Sequence, residues 1–379
     1  MPIHFFQQRL QRKESGTQYR SFWQVLHIDP LLLFGILALL CFGFFILYSA
    51  SNQQMSLIIQ EILHIGFAAI LMILLAQIPP EVYERLSVWL FSIGLFFLLI
   101  VLVIGKIKKG AQRWLNLGFF HLQPSEFMKI AIPMMLAWYF AHRVLPPKLK
   151  DLFFCGLIIF IPAILTAKQP DLGTAIILVM VGFSILVLAG MSWQLIGSLF
   201  VVVSVSAPIL WHFLRQYQKE RILTFFNPER DPLGKGYHII QSKIAIGSGG
   251  LFGKGWLHGT QSRLHFLPAH ATDFIFSVCG EEFGLVGSIF LLLIYVFITF
   301  CCLRIAYYAQ STYTRLLAGS LSLMFFLSVF VNIGMVSGIL PVVGLPLPLI
   351  SYGGSSMMTL MATFGILMSI HCHRKLLAK

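Results

Sequence analysis

The residues best suited to chemistry lie in 266–284, FLPAHATDFIFSVCGEEFG, where the polar approach His270-Ala271-Thr272 delivers Asp273 to a segment that then runs apolar to about residue 303. A carboxylate placed there can cap the free amides of a first helical turn, or act as a general base at a membrane edge. A second group is Pro124-Ser125-Glu126 followed by Lys129. Their i, i+3 spacing sets Glu126 and Lys129 on one helix face, where they can pair. A charge at mid-bilayer costs about 2.5–3.5 kcal/mol on insertion scales, so intramembrane ions tend to face inward and to be functional. The structural alternative is a Glu that complements the helix dipole, with Lys129 snorkelling to the interface.

Three further stretches invite a chemical reading. Lys168-Gln169-Pro170-Asp171-Leu172-Gly173-Thr174 offers a tight turn with Asp171 as a helix N-cap, or as a functional acid. Residues 247–255, GSGGLFGKG, have the glycine density of a phosphate loop but not its spacing. The place five before Gly253 holds Ser248, and Gly255 follows Lys254 where Ser or Thr is needed. A flexible backbone in a substrate groove, or a plain turn, is what that leaves. His258, His265 and His270 are spaced seven and five residues apart, which fits no usual zinc site, so they read as structural or surface histidines.

The stretch 340–356 is apolar yet packed with Pro and Gly. Such backbone is tolerated at membrane depth only where it is buried in protein or lines a cavity. It therefore reads as a loop bounding a substrate cavity.

The elements that must position these groups follow from composition. The chain is 58% hydrophobic and 11% charged, with 14 acidic against 27 basic residues. A soluble domain carries about 25% charged residues. Mean hydropathy is +0.84. Successive long apolar runs with short breaks predict an all-α polytopic membrane protein in a single domain, and alternating barrel strands are absent. Ten spans are expected near 31–49, 57–78, 86–105, 124–140, 152–167, 172–190, 194–213, 274–303, 316–338 and 352–370. A basic tail, 1–29, precedes them, and no removable signal peptide is read in it. The longest connector, 214–272, separates spans seven and eight. None of the six cysteines forms a CxxC pair, so they read as reduced packing residues.

With the N-terminus inside, the inner segments hold thirteen Lys and Arg and the short outer connectors five. Both termini are therefore expected in the cytoplasm. Two outer segments run against this bias. One carries Lys106, Lys108, Lys109 and Arg113, and the long loop carries eight cations, Arg221 among them. Positive charge held outside implies an anionic ligand on the outer face, or a structural role that overrides the rule.

Four motifs in order then give the chain a kinship: GlnProSerGluPhe-x-Lys at 123–129, GlnProAspLeuGlyThr at 169–174, ThrAspPheIlePhe at 272–276 and ProLeuIleSerTyrGlyGlySerSer at 348–356. Together they resemble the SEDS family of cell-wall polymerases nearly from end to end. The resemblance implies a multi-pass protein of the bacterial inner membrane. It further implies a peptidoglycan glycosyltransferase that uses lipid II as donor and acceptor beside a class B penicillin-binding protein. Asp273 falls on the essential acid, and Trp114, Glu126, Lys129, Asp171 and Arg221 fall on family motifs. Ser351 joins them as a substrate-side residue. Inversion at the sugar would use Asp273 as base, with Lys129, Arg113 and Arg221, or a divalent cation (Mg2+ or Mn2+), on the pyrophosphate; no organic cofactor is implied. The chain departs from the family at Ala269 and Ala271, where a Glu and a His are usual, with His270 displaced. Within the family the resemblance is to elongation members, with a division-type member as the alternative. A lipid flippase is the competing reading from another class, since charges in broken helices also mark transport sites, and a non-catalytic scaffold is a third.

Overall fold

The computed structural model describes residues 26–104, 106–108, 111–116, 121–213, 216, 219–220, 223–224, 235–264, 266 and 269–374. Ten helices stand where the ten spans were expected, so the chain is an all-α polytopic protein. They are α1 (Pro30–Ala50), α2 (Met55–Gln77), α3 (Pro80–Ile104), α4 (Pro124–Ala141), α5 (Leu149–Lys168), α6 (Leu172–Leu188) and α7 (Trp193–Phe213), then α10 (Ile275–Tyr307), α11 (Thr312–Val336) and α12 (Gly354–Cys372). By length and composition, seven of the described helices can cross a membrane. Helix α4 is not among them because Glu126 and Lys129 interrupt its apolar run, and α6, at 17 residues, and the apolar part of α7, Trp193–Ser206, are short.

Local sequence explains the starts. Asp29 caps α1 by accepting from the Leu31 amide at 3.0 Å, and Pro30 supplies a first-turn residue with no amide to satisfy. Ser311 caps α11 in the same way through the Thr314 amide. Asp29 also pairs with Arg304 at the end of α10 and stands 3.6 Å from His371 of α12, while the His27 and His373 rings stack at 4.6 Å. The two ends of the described chain thus meet at one end of the bundle.

Helices α4, α11 and α12 form the centre, with α12 packed on α2, α3 on α4, α5 on α6, and α10 between α1 and α11. Close approach depends on small residues. A Cβ at Gly94 of α3 would come within 2.4 Å of Met128, and one at Gly365 of α12 within 2.6 Å of the Met72 carbonyl.

Two connectors are more ordered than the sequence suggested. The polar link before α4 forms a small antiparallel sheet, β1 (Lys106–Lys108), β2 (Ala111–Asn116) and β3 (His121–Leu122). The long loop carries α8 (Lys235–Ser248) and the single turn α9 (Thr260–Arg263), and α8 docks on α10 and α11. Buried Ser242 makes that dock, donating to the Val336 carbonyl at 2.5 Å and lying 2.8 Å from the Ser277 hydroxyl.

Candidate active site

Asp273 ends a turn, 269–273, that runs directly into α10. The N-cap of that helix is Phe274, the residue after the acid, and its side chain makes no cap. Three clamps hold the backbone around the acid. Buried Asn332 of α11 donates to the Asp273 carbonyl at 3.0 Å and to the Leu345 carbonyl at 2.6 Å. The Ser351 hydroxyl donates to the Thr272 carbonyl at 2.6 Å and accepts from the Leu347 amide at 2.8 Å. The Tyr352 amide donates to the Ala271 carbonyl at 3.0 Å.

The breaker-rich stretch is therefore a wall of this site, as expected of a loop bounding a cavity. Its Leu345, Leu347, Leu349 and Ile350 are buried, and buried Tyr295 of α10 donates to the Pro348 carbonyl at 2.7 Å. Chain reversal there uses Gly344, with φ of 75°; a Cβ on it would lie 3.5 Å from the Asp273 Oδ2. The half-buried carboxylate thus rests beside that turn.

Glu126 and Lys129 are both buried and pair at 2.6 Å on the central helix α4. They face a narrow cavity shared with Ser328, Leu345, Pro346, Ser356 and Thr359. The segment at 345–346 therefore adjoins both the Asn332 clamp of Asp273 and the cavity of the buried ion pair. A buried pair is a weak source of net stability, but losing one partner strands the other charge, at about 3–5 kcal/mol. Glu126→Ala is accordingly expected to lower the thermal midpoint of the purified protein by several degrees. Glu126→Gln with Lys129→Met should stay near wild type in the same melt.

The other expected residues divide. Asp171 is buried and caps α6 through the Thr174 amide at 3.3 Å, while its Oδ2 accepts from Gln123 at 2.8 Å. Gln123 also donates to the Ser125 hydroxyl at 2.9 Å, so the starts of α4 and α6 are tied together. Both abut the cavity wall, for a Cβ at Gly173 would come within 2.4 Å of the Val343 carbonyl. Trp114 is half-buried in β2, opposite Lys106. Arg113 lies in the same strand with its side chain outside the described residues, and Arg221 lies outside them altogether.

Sequence reasoning gave the glycine-rich run no definite role; it proves to be a clasp. Helix α10 breaks at Gly284, with φ of 66° and ψ of −157°. Backbone groups freed by such a break must find partners. The loop supplies them: the Lys254 and Gly255 amides donate to the Glu281 and Glu282 carbonyls at 3.0 Å, and the Leu285 and Val286 amides donate to Gly250 and Leu251 at 3.0 and 3.1 Å. Glycine is required for the contact, since a Cβ at Gly249 or Gly253 would meet an α10 carbonyl oxygen at 2.0 or 2.1 Å.

Glu281 and Glu282, in the opening motif but unassigned from it, lock this clasp. Buried Glu281 pairs with Lys254 at 2.8 Å and accepts from the Thr260 amide at 2.8 Å. Buried Glu282 accepts from the Ser49 hydroxyl of α1. Of the histidines, His258 bonds the Trp256 carbonyl at 2.9 Å and His265 lies outside the described residues. His238 of α8 stacks on Phe274, next to Asp273, and burial pushes its imidazole below the usual histidine range. Among the described residues no three His, Cys, Asp or Glu side chains are grouped to hold a metal ion.

Comparison with known proteins gives one kinship. The cell cycle protein family FtsW/RodA/SpoVE matches residues 25–376. The peptidoglycan glycosyltransferase MrdB of Escherichia coli K12 is 53% identical over 361 residues, covering 95% of this chain and 98% of that protein. RodA of Treponema pallidum, also a peptidoglycan glycosyltransferase, is 33% identical, covering 91% and 98%. Among solved structures, a chain of a peptidoglycan synthase complex that coordinates polymerization and crosslinking aligns with a TM-score of 0.80 at 33% identity, covering 90% of this chain and 97% of its own length. The rod shape determining protein RodA of Thermus thermophilus aligns at 0.69 with 28% identity, covering 90% and 96%.

Proposed function

The chain belongs to the FtsW/RodA/SpoVE family, and from that premise we propose that it is an elongation-type peptidoglycan glycosyltransferase of the bacterial inner membrane, polymerising lipid II into glycan strands. One observation carries the reading. A carboxylate whose turn is held by three backbone clamps and a buried Lys–Glu pair both adjoin a single segment, 345–346. That is what a displacement needs when it takes a proton at one end and releases a diphosphate at the other.

Lipid II carries its donor sugar α-linked to pyrophosphate, and the strand is β-linked, so a single inverting step suffices. The Asp273 carboxylate accepts the proton of the attacking 4-hydroxyl as that oxygen bonds to C1. The bond from C1 to the pyrophosphate oxygen breaks, and its electron pair leaves with the lipid diphosphate. Lys129, with Arg113 and Arg221, meets the charge that develops on that diphosphate. Glu126 orients Lys129 through their 2.6 Å contact. Ser351 and Asp171 act by holding the acid's turn and the α6 start, and Trp114 borders the outer approach. A divalent cation would add charge neutralisation at the diphosphate, but no step above is routed through one.

A class B penicillin-binding protein is the expected partner, crosslinking the strands as they form; the solved complex that this chain resembles joins polymerization to crosslinking. The test is to incubate the purified protein and this partner with labelled lipid II. Glycan strands are expected. Movement of lipid II across liposomes with no strands would replace the polymerase by a flippase.

A further inference from the structure

Helix α2 carries a buried acid that the reaction above does not use. Glu61 is 1% exposed and lies 3.2 Å, through Oε2, from the His64 Nδ1, while its Oε1 accepts no hydrogen bond from the described residues. An ionisable side chain inside a membrane helix is costly and calls for a return. Its surroundings indicate one. The N-cap of α12 is Gly353, which has no side chain to satisfy the helix's first amides. The Glu61–His64 pair lies against this start of α12, with the Gly353 amide turned toward the carboxylate. One residue on, Gly354 is seated against the His64 ring, where a Cβ would come within 2.9 Å. The Tyr352 hydroxyl donates to the Gln60 Oε1 at 2.7 Å.

Residues 352–354 are thus gripped by three successive positions of one face of α2, Gln60, Glu61 and His64. Those residues in turn grip the catalytic turn, because Tyr352 donates to Ala271 and Ser351 to Thr272. From Gly353 to Asp273 the shortest connection runs through backbone, by the Tyr352 amide and the Ala271 carbonyl. We propose that Glu61 and His64 are positioning residues for Asp273, acting as a pair that seats the start of α12 against α2. This deepens the polymerase reading and rests on it.

The experiment compares wild type, Glu61→Ala, Glu61→Gln, His64→Ala and Asp273→Asn, each purified with the transpeptidase partner. It measures strand synthesis from lipid II and amide hydrogen exchange. A displacement of about 1 Å at a reacting group can cost on the order of 100-fold. Glu61→Ala and His64→Ala are therefore expected to lower kcat roughly 10- to 100-fold with KM unchanged within about twofold. Glu61→Gln, which keeps an oxygen acceptor, should recover most of that rate. Hydrogen exchange should quicken at 269–274 and 351–354 and nowhere else. Wild-type kcat in Glu61→Ala, an equal loss in Glu61→Gln, or faster exchange across the whole bundle would each overturn the assignment. If Asp273→Asn polymerises normally, the base is elsewhere; local loosening in Glu61→Ala still reports the positioning role independently of that failure.

Discussion

Asp273→Asn is expected to abolish strand synthesis, with a fall of about 10²–10⁴-fold, the range for loss of a general base. The substitution keeps shape while removing the negative charge and the ability to take a proton. The turn should persist, because its hydrogen bonds to Asn332, Ser351 and Tyr352 all use backbone carbonyls of residues 271–273, and none uses the Asp273 side chain. Melting temperature and partner binding are therefore expected at wild-type values alongside the lost rate. Residual polymerisation within threefold of wild type would move the base to another residue. A loss of rate together with a large drop in melting temperature would make Asp273 a structural residue.

Gly284→Ala is expected to be the most damaging small substitution for folding. Its φ of 66° and ψ of −157° lie where only glycine rests without strain, and a Cβ would stand 2.3 Å from the Gly253 amide nitrogen and 2.7 Å from the Leu251 carbonyl oxygen. The strain alone costs about 1–3 kcal/mol. The clash would also push the clasp away, stranding the amides and carbonyls that it now pairs, at about 1–3 kcal/mol for each buried group. A loss of yield, or a fall of several degrees in the thermal midpoint of the solubilised protein, would be the result. Gly66→Ala is the control, since a Cβ there meets nothing within 4 Å. Equal behaviour of the two variants would remove the clasp from the account of stability.

The spans were legible because each is a long apolar run bounded by Pro, Gly or a capping acid, and Asp29-Pro30 shows the signal at its clearest. The third helix begins at Pro80, six residues before the expected start, because Glu81 and Tyr83 fit a first turn although they lower the local hydropathy. The β1–β3 sheet was not legible. Strands of three, six and two residues are too short to display an alternating period. Helix α8 was lost in the connector for a related reason, since 14 residues of mixed polarity hardly stand out from a loop.

Within the site, Asp273 and the Glu126–Lys129 pair stand out by residue type and spacing, although for Asp273 spacing alone favours a helix cap and the role of base comes with the family motif. Asn332 and Glu61 do not stand out. Each is a single polar residue in an apolar helix, and its meaning lies in carbonyls and amides distant in sequence. Glycines 249 and 253 were visible, but the carbonyls they approach belong to a helix break that no local pattern announces. The sequence displays what a residue is able to do; the partner that makes it do so is a property of packing.

The break at Gly284 also sets a height. Residues 285–307 rise roughly 34 Å at 1.5 Å each, against a hydrocarbon thickness of about 30 Å. Helix α1, of 21 residues, reaches roughly 31 Å by the same measure, and its Ser49 meets Glu282 just above the break. The nine residues 275–283 lie beyond that break, buried in the bundle, and the turn of Asp273 sits inward of it: Ser351 holds the Thr272 carbonyl, and its neighbour Ile350 packs on Gly43, six residues inward of Ser49. A substrate whose tail dissolves in the leaflet and whose sugars do not is gauged by that depth. Membrane thickness is therefore one of the dimensions of the site: a thicker leaflet would raise the reacting bond against a fixed acid, and a thinner one would lower it.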